Sequence, residues 1–328
     1  MPDEPISRVA AVVIGRNEGA RLLRCFASLL GHYEPVIYID SGSTDASVAA
    51  AQERGIEVVE LDNAIPFTAA RARNTGIAAI LARKQAPEYV QLVDGDCELQ
   101  VSWAEAAADF LDAHPDIAIV CGRLRERYPE AAIYNRLCDR EWDAPLGLTR
   151  ACGGVAMARL SALEEVGGFN PMLIAGEEPE LCVRLRHGGW KIWRLGLEMA
   201  LHDANMTRFA QWWKRTKRGG YAAAEGMVLH GGPPEYLGVV RLRRAFLWTL
   251  AIPTATLILV AFFGAAALLT LLAYPAQVTR VAQREGGDRG AWEYAFFVTL
   301  GKFAEFSGML EYAAGRVRGA RRTVSEYE

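Results

Sequence analysis

The stretch LVDGDCEL, residues 92–99, runs an apolar strand into two aspartates separated by a single glycine. In a strand, residues i and i+2 face the same way, so Asp94 and Asp96 can converge on one point, with Gly95 leaving room for a ligand against the backbone. Two carboxylates that close repel each other unless a cation or a shared proton compensates. Hard divalent ions take such oxygen ligands, and Mg²⁺ commonly keeps one or two carboxylates together with substrate phosphates. Asp-Gly is also a frequent hairpin pair, so the same residues admit a plain polar turn. A second concentration of carboxylates, Glu177, Glu178 and Glu180, falls at the start of a helical stretch, where acids also suit the helix dipole. His202 closes an apolar stretch in LHD, and a lone histidine there is as compatible with a structural role as with a ligand.

The elements that must position these residues alternate through the first half. VAAVVI (9–14), VIYID (36–40), IEVVEL (56–61) and EYVQLV (88–93) read as short apolar strands. Between them EGARLLRCFASLL (18–30), STDASVAAAQERG (43–55) and FTAARARNTGIAAILARK (67–84) carry helical signals, with Ser43 or Thr44 able to cap the second and Gly55 to end it. Apolar strands alternating with helices predict an α/β, doubly wound sheet covered on both faces. Ligands bind such sheets outside the carboxyl ends of the strands, where Asp40 and Asp94 both fall. The second half loses the strict alternation. CGGVAMARL (152–160) predicts a strand running into a short helix, PELCVRLRHGG (179–189) a helix closed by glycine, and WKIWRL (190–195) and EMALHD (198–203) two further strands.

Composition bounds the function classes. The chain has 328 residues, 51% of them hydrophobic, and a net charge of −3, so no global basic field is available for nucleic acid. The six cysteines form no CxxC pair, which argues against a structural zinc site and for reduced core thiols. The N-terminal MPDEPISRV lacks the basic patch and apolar core of a signal peptide, and the catalytic part is expected to stay in the cytoplasm.

Composition changes near the end. From 245 to 279 there is no charged side chain, and FLWTLAIPTATLILVAFFGAAALLTLLAY exceeds the ~18–20 apolar residues that mark a membrane helix. As one helix the run would be about 52 Å long, well over a hydrocarbon core of about 30 Å. Pro253, Gly264 and Pro275 offer places to turn, and arginines flank both ends, so a hairpin or re-entrant pair fits better than one crossing. Residues 205–244 hold eight Lys or Arg against two Glu, a surplus suited to anionic headgroups or lipid diphosphates. AWEYAFFVTLGKFAEFSGMLEYAAGRVRG (291–319) reads as an interfacial amphipathic helix, since Glu293, Lys302, Glu305 and Glu311 interrupt it. Trp212 and Trp213 are open to two roles, stacking on a sugar or anchoring at the headgroups.

In this order the motifs resemble the family 2 glycosyltransferases of the GT-A fold. VVIGRNEG (12–19) looks like their first strand and Asn-Glu turn, and YIDSGSTDAS (38–47) their second-strand motif. ARNTGI (72–77) resembles their Ala-Arg-Asn-x-Gly helix, DGD (94–96) their Asp-x-Asp, and GGVAMAR (153–159) with VGGFN (166–170) the acceptor-side segment. GEEPELCVRLRHGGW (176–190) is similar to the motif that carries the base. The match spans residues 9 to about 218.

The resemblance implies an inverting transfer of a sugar from a nucleotide-diphosphate sugar to an acceptor hydroxyl, assisted by Mg²⁺ or Mn²⁺. It implies Asp96 as the direct metal ligand, with Asp94 leaning toward the ribose and His202 on the metal or diphosphate. It places Asn17, Glu18, Asp40 and Arg73 around the nucleotide. Glu178 matches the base, with Glu177 as the neighbouring choice and Glu180 two residues on, although the family usually has Asp at the position of Glu178. Ser41 stands where many members have a second Asp, so the base of the nucleotide is left open. QWWKR (211–215) differs from the processive synthases' Gln-x-x-Arg-Trp in the order of Arg and Trp, and processivity gains no support.

The expected organisation is a GT-A catalytic domain (1–218), a basic juxtamembrane connector (219–244), a membrane helix or hairpin (245–279), and an interfacial helix with a basic tail (280–328). The expected setting is the cytoplasmic face of the cell inner membrane. The acceptor would be a glycan or polyprenyl-linked glycan for a surface polysaccharide, and the partners membrane lipids and not nucleic acid. The alternatives are a sugar-phosphate nucleotidylyltransferase, for which GRNEGAR is a weak phosphate loop, and a non-catalytic membrane scaffold of the same fold.

Overall fold

The computed structural model describes residues 8–319; the first residues of the N-terminal stretch and the basic tail lie outside the described residues. Strand β1 (Val9–Gly15) leads to helix α1 (Ala20–Leu29), β2 (Val36–Asp40), α2 (Ser47–Gln52), β3 (Glu57–Glu60), α3 (Ala69–Leu81) and β4 (Tyr89–Asp94). A tight turn at Gly95 and Asp96 gives β5 (Cys97–Leu99), followed by α4 (Trp103–Ala113), β6 (Ile117–Glu126), α5 (Ile133–Glu141) and β7 (Gly147–Thr149). Then come β8 (Ala156–Arg159), α6 (Leu160–Glu165), α7 (Glu177–His187) and β9 (Lys191–His202).

One sheet joins them in the order β3-β2-β1-β4-β8-β6-β9-β5, with β7 paired to β9. The first four strands are mutually parallel; β1 and β2 are apolar runs buried on both faces, whereas β3, EVVE, is the partly exposed edge. β8 is inserted antiparallel between β4 and β6, so the sheet is mixed beyond the first half. The two strands expected over 190–203 are one strand, β9, whose pairing with β6 slips register between Cys121 and Leu124 and leaves Leu195 to Leu197 as a bulge.

Helix packing follows from side-chain spacing. α1 buries Leu22, Cys25, Phe26 and Leu29, one face of a helix. α3 is capped by Thr68, whose hydroxyl accepts the Arg71 N–H at 3.0 Å. It lies close on β1 because residue 76 is glycine: a Cβ there would stand 2.4 Å from Val12 Cγ1. That close seat carries Arg73, one turn earlier, to the carboxyl ends of the strands.

The remainder is helical: α8 (Phe209–His230), α9 (Val239–Phe246), α10 (Ile252–Phe263), α11 (Ala273–Arg284) and α12 (Arg289–Arg318), with a π turn at Leu247–Ala251 and a 3₁₀ stretch at Gly264–Leu272. By length and composition Val239–Arg284 is apolar enough to cross a membrane, but its path is a hairpin. Gly264 turns the chain at φ +66°, a conformation that glycine adopts freely. Thr256 and Thr270 hydroxyls then meet at 2.7 Å, and the Tyr274 hydroxyl donates to the Trp248 carbonyl. From Trp248 to Gly264 the first arm rises about 24 Å, short of a ~30 Å hydrocarbon core. Its tip is apolar and open, with Phe262 78% and Phe263 71% exposed.

α12 does not lie free as an interfacial helix; it packs along α8. Glycines set the approach, since a Cβ at Gly308 would fall 2.0 Å from the Lys217 carbonyl and one at Gly220 2.1 Å from that of Glu305. The charges that interrupt its apolar sequence pair with the protein: Glu293 with Arg136, Glu305 with Arg241 and Lys302, Glu311 with Lys217. Trp212 is buried against Tyr134 and Phe297, joining α8 to α5 and α12, so it is placed neither for a sugar nor for headgroups.

Candidate active site

A cleft of about 1210 Å³ opens at the carboxyl ends of β1, β4 and β6, roofed by the loop before β8, the start of α7 and the first turns of α8. Most of the residues singled out from sequence meet there, in two clusters.

The first is built on Arg73, 2% exposed. One guanidinium nitrogen donates to Glu177 Oε1 and Glu178 Oε1, each at 2.9 Å, and the other donates to Asp94 Oδ1 at 2.8 Å. The Phe169 ring lies under it, centroid 5.5 Å away. The sequence reading set Arg73 beside the nucleotide; it lines the cleft, and its two terminal nitrogens hold the three carboxylates, joining the end of β4 to the start of α7. Burial raises the Glu178 carboxyl to about 7, with the Glu177 charge adding and Arg73 opposing. Gly154 closes over this cluster: a Cβ there would stand 2.4 Å from Arg73 Nη2, 2.7 Å from Asp94 Oδ2 and 3.2 Å from Glu178 Oε1. Glu180 is not part of it. Arg184 and His230 hold its carboxylate at 2.8–3.1 Å, so it ties α7 to the end of α8.

The second cluster is built on Asp96. It lines the same cleft as Asp94 but has a different partner, His202 in place of Arg73, and the strand alternation on which the expected convergence rested ends at Asp94. Gly95 lines the cleft between them, and its missing Cβ also allows close packing, since one would meet Glu18 Cγ and the Ile14 carbonyl at 3.1 and 3.2 Å. Pairing of β5 with β9 sets Cys97 opposite His202 and so brings the imidazole to Asp96, with Nε2 3.3 Å from Oδ2. Burial works to raise the Asp96 carboxyl, but the charge of and hydrogen bond from His202 prevail and hold it below the usual carboxylate range. Burial likewise resists protonation of His202, and Asp96 lifts it to about 10.

Ligand atoms of Asp96, Cys97 and His202 lie within 4.8 Å of one another, the one such group among the described residues. A carboxylate with an open cleft in front suits Mg²⁺ or Mn²⁺, and His202, protonated in its pair with Asp96, can join it as a ligand only on giving up that proton. The Cys97 thiol, raised well above its ordinary value by burial, stays protonated and adds little. Asp94, engaged by Arg73, is outside this group. Behind His202 lies Glu126, whose fully buried carboxylate is 3.7 Å from Nδ1 and accepts the N–H of Ala204 and Tyr128. Sequence reasoning missed Glu126; nothing in LRERY distinguishes it.

The remaining residues shape the floor. Asp40, buried at the end of β2, accepts the Gly42 and Ser43 N–H groups and the Tyr38 hydroxyl. Asn17, at φ +55°, accepts the Thr44 N–H at 2.7 Å while its own N–H donates to Ser43. Together they fix the 41–46 loop at the cleft edge, where Ser41 faces in. Glu18 enters the cleft beside Asp96, and burial followed by the Asp96 charge raises its carboxyl to about 7. From α8, Lys214, Arg215 and Arg218 line the opposite wall, with Arg215 2.6 Å from Glu141.

Residues 11–166 match the family described as glycosyl transferase family 2. Those residues are a family 2 glycosyltransferase domain. It is 30% identical over 247 residues to the pre-mycofactocin glycosyltransferase of Mycobacterium tuberculosis, in each of two strains, covering 70% of this chain. The chain spans about half the length of those relatives, 50%. The fold is similar to that of a mannosyltransferase from Pyrobaculum calidifontis in complex with GDP-Man and Mn²⁺, with a TM-score of 0.64 at 18% identity over 93% of this chain and 87% of that one. The mixed sheet thus has the GT-A architecture.

Proposed function

We propose that this chain is an inverting, metal-dependent glycosyltransferase that moves a sugar from a nucleoside diphosphate sugar to an acceptor hydroxyl at a membrane surface. The observation that carries the reading is the Arg73 cluster. It holds a carboxylate with a pKa of about 7, Glu178, in the same cleft as the Asp96–His202 pair. Glu178 is the base: near neutral pH it is half ionised and suited to take the acceptor proton as the bond to the sugar forms. Glu177 shares the same guanidinium nitrogen and sets the charge that Glu178 feels. Gly154 lines the cleft next to Glu178, where a side chain would crowd an acceptor hydroxyl reaching that carboxylate.

Asp96, with His202 once its proton is released, would hold a divalent cation, which would supply charge neutralisation to the departing diphosphate. Lys214, Arg215 and Arg218 add fixed positive charge on the opposite wall of the cleft. The 41–46 loop, held by Asp40 and Asn17, forms the nucleoside edge. Mn²⁺ and GDP-Man in the mannosyltransferase of like fold support a nucleotide sugar donor and a divalent ion here. The apolar hairpin supports a seat in a bilayer, with the catalytic domain on the cytoplasmic face of the inner membrane and a glycan or polyprenyl-linked glycan as acceptor.

The test is donor hydrolysis by the full chain in detergent, with UDP-, GDP- and dTDP-sugars, Mg²⁺ or Mn²⁺, and chelator. Metal-dependent release of one nucleoside diphosphate is expected. Release of pyrophosphate from a nucleoside triphosphate and a sugar phosphate would make it a nucleotidylyltransferase. Neither turnover nor donor binding with any metal would leave a scaffold.

A further inference from the structure

A second concavity, about 680 Å³, lies outside the cleft between the end of α8, α9 and the last turns of α12. Its walls are apolar. Met227 and Val228 come from α8, Phe246 from α9, and Leu310 and Val317 from α12. All five are open to solvent, Leu310 55% and Val317 89% exposed, an arrangement that water disfavours over several turns of three helices.

Its charged residues are all of one sign. Arg243 and Arg316 line the concavity and no acidic side chain does. Arg316 reaches the Tyr312 hydroxyl at 3.4 Å, and Arg243 has no ion pair among the described residues. This contrasts with Arg241, two residues earlier, which is spent on Glu305. An apolar trough rimmed by two cations complements a molecule with a hydrocarbon chain and an anionic head. The groove is also continuous with the apolar hairpin: Phe246 lines the one and leads directly into Leu247 of the other. The hairpin tip would be immersed in lipid, so the occupant is already at hand.

We propose that the groove between α8, α9 and α12 binds one anionic phospholipid from the bilayer, its acyl chain along Leu310 and Phe246 and its phosphodiester between Arg243 and Arg316. The inference rests on the membrane seat of the hairpin but not on the catalytic reading. The site lies apart from the sugar cleft and takes a resident lipid, not the acceptor. Its role is to fix the tilt of the catalytic domain over the membrane.

The test is native mass spectrometry of the full chain released from detergent after incubation with equal phosphatidylglycerol and phosphatidylcholine. One phosphatidylglycerol should be retained with a preference of about tenfold or more, since one Lys or Arg near an anionic surface contributes roughly fivefold. R243Q/R316Q should bring the two lipids to parity, and A313W, which fills the exposed side of the groove, should lose both. F262S/F263S at the hairpin tip should keep the preference. Equal retention of the two lipids by the parent, or an undiminished preference in R243Q/R316Q, would overturn the proposal. So would a lipid-free dimer that A313W converts to monomer, because a second copy would then fill the groove. The surface arginine pair reads out even if A313W fails to fold. Retention is measured without donor, so inactivity toward every nucleotide sugar leaves this result standing. Loss of vesicle flotation by the parent would instead strike at the membrane seat.

Discussion

Glu178 Oε1 lies 2.9 Å from Arg73 Nη1, and the same guanidinium reaches Asp94 through its other nitrogen. One cation thus ties the end of the fourth strand to the helix that carries Glu178, across more than eighty residues of sequence. Removing it leaves three carboxylates around a buried space. Breaking a buried ion pair from one side costs about 3–5 kcal/mol. Arg73→Ala should therefore lower the unfolding free energy by roughly that amount, read from denaturant titration, and should cost turnover as well. Arg73→Lys should recover part of the stability, because a point charge remains, but not the geometry, because one ammonium cannot fork to both sides.

The rate should depend on pH through Glu178. Its carboxyl is raised to about 7, so the ionised, proton-accepting form is in the minority below that value and dominates above it. kcat/KM at fixed metal should rise about tenfold per pH unit below 7 and level off above. The profile in H₂O buffers from pH 5.5 to 8.5 checks this. A flat profile over that range would remove Glu178 as the titrating base.

Gly154 should not tolerate even one methyl group. A Cβ there would sit 2.4 Å from the Arg73 guanidinium and 2.7 Å from Asp94, so something in the cluster must move. A displacement of about 1 Å in a positioned group can cost on the order of 100-fold in rate. Gly154→Ala should lose turnover on that scale while far-ultraviolet circular dichroism keeps its shape.

Metal affinity should be graded by distance from the ion. Asp96→Ala and His202→Ala should abolish saturable Mn²⁺ binding in calorimetry. Glu126→Gln touches no ion yet loosens the imidazole, and residues in that position typically carry 10–100-fold in affinity. Equal affinity in Glu126→Gln and the parent would separate Glu126 from the site.

The sequence made much of this visible, and its silences have physical reasons. The parallel strands were legible because they are short and mostly apolar, with β2 and β4 ending in Asp40 and Asp94, and the hairpin because 35 uncharged residues are too long for one crossing of a bilayer and contain Gly264. The separate partners of Asp94 and Asp96 were not, since the alternation rule stops where the strand turns, and sequence does not mark that boundary to the residue. Glu126 was invisible because its role depends on β6 lying beside β9, a pairing of residues far apart in the chain. The bulge that makes one strand of residues 191–202 is likewise a property of the partner strand. Glu180 was grouped with its neighbours by spacing alone, and only the approach of His230 from α8 shows where it is spent.

The most direct measurement of the central claim compares donor binding with turnover in Glu178→Gln and Asp96→Ala. Removing a general base typically costs 10²–10⁴ in rate. Glu178→Gln should lose turnover on that scale while binding the nucleotide sugar with metal as the parent does. Asp96→Ala should lose the metal-dependent part of binding itself. Full turnover in Glu178→Gln, or unchanged metal-dependent binding in Asp96→Ala, would contradict the assignment of base and metal ligand.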